Sequence, residues 1–191
     1  MVYNVSAVQE ICPADILFCF FGDVMSKKSN RNALINLAAG AVTAALYVVL
    51  TLLAAAFGLS GGVIQVRFSE ALTVLPVFFP GAVWGLFVGC IISNILTGCM
   101  LWDVVFGSLA TLAGAVGTYY IGKKHPYLSV LPPIIANTAV VPLVLKYVYH
   151  LDGALWFFVL TVAAGEIISC GALGLLLLKA LKKLNLPFMK K

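Results

Sequence analysis

Three acidic residues, Glu70, Asp103 and Glu166, lie in stretches of sequence that are otherwise almost wholly apolar. A carboxylate inside a lipid bilayer costs free energy, so it persists there only when it faces other protein groups or water. Such a group can accept hydrogen bonds from the N–H groups of a small molecule, bind a cation, or relay protons. These three acids are therefore the strongest indication of chemistry in this chain.

Other polar residues near the three acids are also candidate site residues. Glu166 lies about twelve residues into its apolar run, or roughly 18 Å at 1.5 Å per residue, which reaches the middle of a bilayer. We expect the whole set to line one cavity that opens to one face of the membrane. The candidate site residues are Gln65, Arg67, Glu70, Asn94, Trp102, Asp103, Asn137 and Glu166.

Each candidate also has a purely structural interpretation, which the sequence leaves open. Arg67 and Glu70 are three positions apart and could pair on one helix face. Asp103 could cap the helix that begins near it, because a carboxylate suits the positive end of a helix dipole. Glu166 could be protonated or hydrogen-bonded to Asn137. Trp102 could be an aromatic anchor at the membrane surface.

Membrane-spanning helices must position these residues. Of 191 residues, 62% are hydrophobic and 10% are charged, and the mean hydropathy is +1.07, which excludes a soluble enzyme. Pro76, Pro80 and Gly81 divide the second long apolar run, because proline lacks the amide that a helix needs. The sequence predicts an all-α polytopic membrane protein with six transmembrane helices, the second short and broken by proline: Ala33–Phe57, Glu70–Phe79, Gly81–Leu96, Trp102–Ile121, Leu128–Tyr149 and Ala154–Lys179.

The basic residues predict how these helices are oriented. Ten of the twelve Lys and Arg residues fall on one side of the predicted membrane, and Arg67 and Lys146 fall on the other. By the positive-inside rule both termini are cytoplasmic, and the candidate cavity opens outward. Contact with lipid headgroups explains the net charge of +5 without any nucleic acid.

The first 24 residues differ from the remainder of the chain. They carry three acids, no base and an apolar stretch too short to span a bilayer. We interpret residues 1–24 as a mis-assigned extension, with translation starting at Met25, and residues 25–191 as one six-helix membrane domain.

Several motifs of enzymes and metalloproteins are excluded. Gly117–Lys124 approaches a phosphate-binding loop, but it ends in Lys where Ser or Thr would hold magnesium, and it follows a membrane helix rather than a strand. We therefore expect no ATP hydrolysis by this chain alone. The five cysteines and two histidines lack ligand spacing, and no nucleophile stands near a base, so we expect no metal, no cofactor and no enzyme.

Small residues recur every four positions in two of the predicted helices. The first helix has Gly40, Ala41, Ala44 and Ala45, and the third has Gly81, Gly85 and Gly89. Such spacing lets helix backbones approach closely in lipid. We predict that the stripe of the first helix docks a partner protein, with packing inside the monomer as the alternative. The glycines of the third helix favour packing inside the monomer.

Four motifs resemble the QueT family. The run Ile64–Pro76, IQVRFSEALTVLP, is the most specific of them. Ala41–Thr51 is similar to the first helix of the family, and Leu101–Gly107 and Gly165–Glu166 resemble its later motifs. The resemblance covers about Ala33–Lys183.

This resemblance implies an S component, the substrate-capture subunit of an ATP-driven energy-coupling factor importer in the bacterial plasma membrane. It implies binding of a 7-deazaguanine precursor of queuosine (preQ1, preQ0 or queuine), a transmembrane scaffold subunit and two ATPase subunits. In such a site, Glu166 or Asp103 would accept the paired N–H donors of the guanine-like edge. Asn94 or Asn137 would serve its carbonyl oxygen, and Trp102 would stack on the ring. An ammonium group on the ligand would contact the remaining carboxylate or an aromatic face.

A stand-alone secondary transporter is the alternative. Glu166 and Asp103 would then relay protons coupled to the movement of a small polar solute. Such transporters are built from inverted repeats with paired broken helices, whereas this sequence shows one clear break, at Pro76–Gly81.

Overall fold

The computed structural model describes residues 30–58 and 66–184, with side chains from residue 33 onward. The chain divides into residues 1–35 and residues 36–191, and the site belongs to the second unit. The described residues form helices and no strand, which confirms the all-α prediction. The elements are α1 (Asn30–Ala56), a 3₁₀ helix (Phe68–Val77), α2 (Ala82–Leu96), α3 (Leu101–Lys124), a 3₁₀ turn (Pro126–Val130), α4 (Leu131–Tyr147), α5 (Leu155–Glu166), a π segment (Ile167–Leu173) and α6 (Gly174–Lys183).

The proline-broken region has the division that the sequence predicts. The predicted helix Glu70–Phe79 is a 3₁₀ helix that begins two residues earlier and contains Pro76. At about 2 Å per residue its ten residues span about 20 Å, less than the hydrocarbon core of a bilayer. Pro80 and Gly81 then separate it from α2.

Four helical segments are long and apolar enough to cross a membrane: Ala33–Ala56, Leu101–Lys124, Pro126–Tyr147 and Leu155–Lys183. The last of them, 29 residues long, joins α5, the π segment and α6. The 3₁₀ helix and α2 are shorter apolar helices.

The bundle has an apolar surface, and its interior contains polar as well as apolar side chains. Leu37, Ile135, Leu160 and Leu176 are each more than half exposed, which suits contact with lipid chains rather than water. The acids and carboxamides of the candidate site are buried instead: Glu70, Asn94, Asp103, Asn137 and Glu166.

Glycines let α1 and α2 pack backbone against backbone. A Cβ on Gly85 would overlap the carbonyl oxygen of Gly40, and one on Gly40 would lie 2.8 Å from the carbonyl oxygen of Gly81. A Cβ on Gly89 would lie 2.8 Å from the Cβ of Tyr47. The glycines of α2 therefore pack inside the monomer, and this contact fixes the position of Tyr47.

Candidate functional site

Two buried glutamates meet at the centre of the bundle, Glu70 from the 3₁₀ helix and Glu166 from the end of α5. The hydroxyl of Tyr47 on α1 donates a hydrogen bond of 2.5 Å to Oε1 of Glu70. Nδ2 of Asn137 on α4 donates one of 3.0 Å to Oε1 of Glu166. One oxygen of each glutamate and Sγ of Cys170 lie within 4.8 Å of one another. We call these five residues the glutamate cluster.

The π segment that follows Glu166 contributes to this cluster. Sγ of Cys170 donates a hydrogen bond of 3.2 Å to Oε2 of Glu166. The hydroxyl of Ser169 accepts one of 3.2 Å from the backbone N–H of Arg67. Short π segments inside α-helices occur frequently at functional sites, and this one joins the end of α5 to the start of the 3₁₀ helix.

One atom of the cluster lacks a protein partner. Oε2 of Glu70 is buried and makes no hydrogen bond with the described residues, and the Glu70 side chain as a whole is 1% exposed. A buried polar atom without a hydrogen bond costs free energy. A ligand that brings a donor to this oxygen would remove that cost.

A small cavity lies beside Glu166. Its volume is about 10 Å³, and its lining residues are Arg67, Gly107, Thr111, Asn137, Val141, Val162 and Glu166. This volume holds about one water molecule, so a bicyclic ligand could enter only if the surrounding helices moved apart. Arg67 interacts electrostatically with Glu70 and Asp103.

Asp103 belongs to a second polar group, at the start of α3, that also contains Asn94 and Tyr149. The hydroxyl of Tyr149 donates a hydrogen bond of 2.9 Å to Oδ2 of Asp103 and accepts one of 3.1 Å from the backbone N–H of Met100. A Cβ on Gly107 would lie 3.5 Å from both Nδ2 of Asn94 and Oδ1 of Asp103. Because Gly107 also lines the small cavity, this group adjoins the space beside the glutamate cluster.

Tyr149 is suited to hold this position. It lies in the loop between α4 and α5, outside the membrane-spanning segments. Burial raises the pKa of Tyr149 to about 12. The negative charge of Asp103 adds to this rise, and the hydrogen bond from the backbone of Met100 opposes it. Its hydroxyl therefore stays protonated, and able to donate to Asp103, at neutral pH.

Trp102 does not join either polar group. Its side chain is 59% exposed and stacks on Phe106 with ring centroids 5.9 Å apart. It lines an open groove of about 620 Å³ with Tyr147 and His150 among its neighbours. Consecutive helical residues point about 100° apart, so Trp102 faces outward where Asp103 faces inward. Its role in stacking stays a prediction, and Gln65 lies outside the described residues.

The small residues of α1 divide between two faces. Gly40 and Ala44 lie against α2, since a Cβ on Gly89 would be 3.0 Å from the carbonyl oxygen of Ala44. Ala41 and Ala45 are exposed. Only this second pair offers a free face, and its contact with a partner stays a prediction.

Sequence reasoning missed Tyr47, Cys170 and Tyr149. For Tyr47 a signal was present, because Thr43, Tyr47 and Thr51 repeat every four residues and form a polar stripe on an apolar helix. All three are buried. Cys170 follows Glu166 by four positions, which places it on the same helix face. Tyr149 lies in a loop, where sequence gives no such spacing rule.

The glutamate cluster also contains side-chain atoms that can coordinate a metal ion. Among the described residues, Glu70, Glu166 and Cys170 form the group of potential ligands close enough to share an ion. Zinc binds both carboxylates and thiolates. The expectation of no metal and no cofactor stays a prediction.

Four long apolar helical segments with exposed apolar surfaces define a multi-pass membrane protein. The model of the QueT transporter family matches residues 37–183, so the chain belongs to this family, and the resemblance is confirmed. A curated relative, the queuosine precursor transporter QueT of Lactococcus lactis subsp. cremoris (strain MG1363), is 38% identical over 87 residues, which cover 45% of this chain and 48% of the relative. The match therefore spans about half the length of that relative. No solved structure matches the chain.

Proposed function

We propose that this chain is the S component of an energy-coupling factor importer in the bacterial plasma membrane. It binds a queuosine precursor (preQ1, preQ0 or queuine) from outside and releases it into the cytoplasm. It is not an enzyme: two ATPase subunits, joined to it through a transmembrane scaffold subunit, supply the energy. Membership of a transporter family supports transport, and the name of the Lactococcus relative supports the solute.

The glutamate cluster is the observation that carries this proposal. Glu70 and Glu166 are buried among helices with lipid-facing outer surfaces, and one oxygen of Glu70 lacks a partner. Burying two acidic side chains so close together costs free energy unless a binding partner compensates that cost. A polar small molecule that reaches the cluster provides that compensation.

Both polar groups have the chemistry that a guanine-like edge requires. Such an edge presents adjacent N–H donors, which one carboxylate can accept as a pair, beside a carbonyl oxygen that needs a donor. Glu166 with Asn137 offers a carboxylate and a carboxamide, and so does Asp103 with Asn94. The hydrogen bond from Tyr149 leaves Asp103 further acceptor capacity.

The proposal includes six spans with both termini in the cytoplasm. The basic ends of α3 and α6, with Lys123, Lys124, Lys182 and Lys183, then face the cytoplasm. The group around Asp103 lies toward the outer face, where a ligand enters. The exposed pair Ala41 and Ala45 is the docking surface for the scaffold subunit.

Uptake into proteoliposomes tests this proposal against the secondary transporter. Vesicles would contain this chain alone, or this chain with the scaffold subunit and both ATPases, and labelled preQ1 would be supplied outside. We expect uptake only with the complete complex and ATP inside the vesicles. Uptake by the chain alone, driven by a proton gradient and lost on adding a protonophore, would favour the alternative.

A further inference from the structure

The glutamate cluster favours one kind of ligand over its close analogues. Resting on the proposed function, we propose that Glu70 and Glu166 close on a protonated amine carried by the 7-substituent of the ligand. The chain would then prefer aminomethyl precursors, such as preQ1, over the neutral nitrile preQ0. Three features of the cluster carry this inference: the separation of its oxygens, one free acceptor, and its charge.

The separation of the glutamate oxygens fits a single ammonium nitrogen. Hydrogen bonds from ammonium to carboxylate are about 2.8 Å long, so two oxygens up to about 5.6 Å apart can contact the same nitrogen. One carboxylate oxygen of Glu70 and one of Glu166 lie within 4.8 Å of each other. At the upper limit of this separation the two hydrogen bonds would subtend an angle close to that between two protons of an ammonium group.

The free acceptor is Oε2 of Glu70. Tyr47 holds the other oxygen of this carboxylate at 2.5 Å, which fixes its orientation, while Oε2 is buried without a partner. Both oxygens of Glu166 already accept hydrogen bonds, from Asn137 and Cys170. A carboxylate oxygen has two lone pairs, so Glu166 can accept one more donor from the same ammonium.

The charges of the ionised acidic and basic side chains also favour an amine. The two glutamates outnumber Arg67, the cation that lines the adjoining cavity, so the ionised site carries one surplus negative charge. Asp103 is held in the second polar group by Tyr149. A ligand of charge +1 neutralises the cluster, and a nitrile does not. The cavity of about 10 Å³ is lined by Glu166 and not by Glu70, so the helices must move apart before an ammonium group contacts both glutamates.

Calorimetric titration of the full chain in detergent tests the inference. The ligands are preQ1, preQ0 and 7-hydroxymethyl-7-deazaguanine, a neutral analogue of preQ1 with nearly the same shape. A charge-assisted hydrogen bond is worth about 1.5–3 kcal/mol, so wild type should bind preQ1 about 10- to 150-fold more tightly than the hydroxymethyl analogue. In Glu70→Gln the ratio of these two affinities should fall toward one. The variant should bind preQ1 more weakly and bind the hydroxymethyl analogue as wild type does.

Binding of the hydroxymethyl analogue to Glu70→Gln would show that this variant is folded. If Glu70→Gln does not fold, Glu166→Gln provides a second test. Asp152→Asn removes an exposed acid and should keep the wild-type ratio. Equal affinity of wild type for preQ1 and the hydroxymethyl analogue would overturn the inference and leave the proposed function standing. Absence of binding by all three ligands would overturn both.

Discussion

The hydrogen bonds at Glu70 and Glu166 determine what the site can recognise. Glu70 is anchored by one neutral donor, Tyr47, and Glu166 by two, Asn137 and Cys170. Neutral donors orient a carboxylate without cancelling its charge, whereas a lysine in the same place would cancel it. These donors therefore orient both side chains without placing a positive charge beside them, which leaves room for a cationic ligand.

Replacing Tyr47 by Phe tests the anchor at Glu70. The variant loses the 2.5 Å hydrogen bond and leaves a second oxygen of a buried carboxylate without a partner, which should cost about 1–3 kcal/mol of unfolding free energy. Thermal unfolding in detergent measures the change. Tyr147→Phe is the matched control because Tyr147 is 67% exposed. Equal melting temperatures of Tyr47→Phe and wild type would contradict the account of this anchor.

The hydroxyl of Tyr149 gives a prediction about pH. Its pKa is about 12 in the folded protein and about 10 for an ordinary tyrosine. A raised pKa means that the contribution of this group to stability is complete below pH 10 and is lost as the pH rises through 12. Ultraviolet absorbance of phenolate should show one transition near pH 12 that is absent from Tyr149→Phe. Titration of Tyr149 near pH 10 would contradict both the burial of its hydroxyl and its placement beside Asp103.

At the scale of elements, two close helix contacts hold the site together. Backbone contact between α1 and α2 positions Tyr47, and the π segment joins α5 to the 3₁₀ helix through Ser169 and Arg67. The cluster thus depends on helices that are distant in sequence. Separation of any of these helices would move one of its members.

Adding a methyl group at Gly85 tests the contact between α1 and α2. In Gly85→Ala the new Cβ overlaps the carbonyl oxygen of Gly40, so the helices must separate, at a cost of about 1–3 kcal/mol. We expect a lower melting temperature and weaker preQ1 binding. Gly171→Ala is the control, because its Cβ would lie 3.7 Å from a methyl of Ile167, an ordinary van der Waals distance. Similar behaviour of the two variants would show that close packing at Gly85 is unimportant.

The sequence predicts the elements better than the contacts between them. Hydropathy and prolines place the helices to within a few residues, because each span must be apolar and proline interrupts regular hydrogen bonding. The cost of buried charge also identifies Glu70 and Glu166. Hydropathy does not reveal which helices are neighbours, so it could not pair Tyr47 with Glu70. The 100° step between helical residues, applied to Trp102 and Asp103, would have separated those two candidates.

At the scale of the whole molecule, the proposed ligand site and the proposed docking surface lie on different faces of α1. Tyr47 faces the glutamate cluster and is buried, while Ala41 and Ala45 face outward. In our proposal the same helix therefore contacts the ligand site on one side and the scaffold subunit on the other. This arrangement provides a route by which ligand binding could influence assembly.

Bulky side chains on the exposed face of α1 should separate docking of the scaffold subunit from ligand binding. Ala41→Trp and Ala45→Trp place a bulky side chain where close approach of a partner helix needs a small one. We expect loss of co-purification with the scaffold subunit and unchanged affinity for preQ1. Ala38→Trp, one turn earlier on an exposed position, shows how far the surface extends. Normal assembly of both Ala41→Trp and Ala45→Trp would exclude this face as the docking surface.

The affinity of purified Glu166→Gln for labelled preQ1, compared with wild type, tests most directly whether the buried glutamates form the ligand site. Glutamine preserves shape and removes the charge, so we expect binding to weaken by roughly 10- to 150-fold, the equivalent of one charge-assisted hydrogen bond. Asp152→Asn should bind as wild type does. If folded Glu166→Gln bound preQ1 with the affinity of wild type, the glutamate cluster would not be the ligand site.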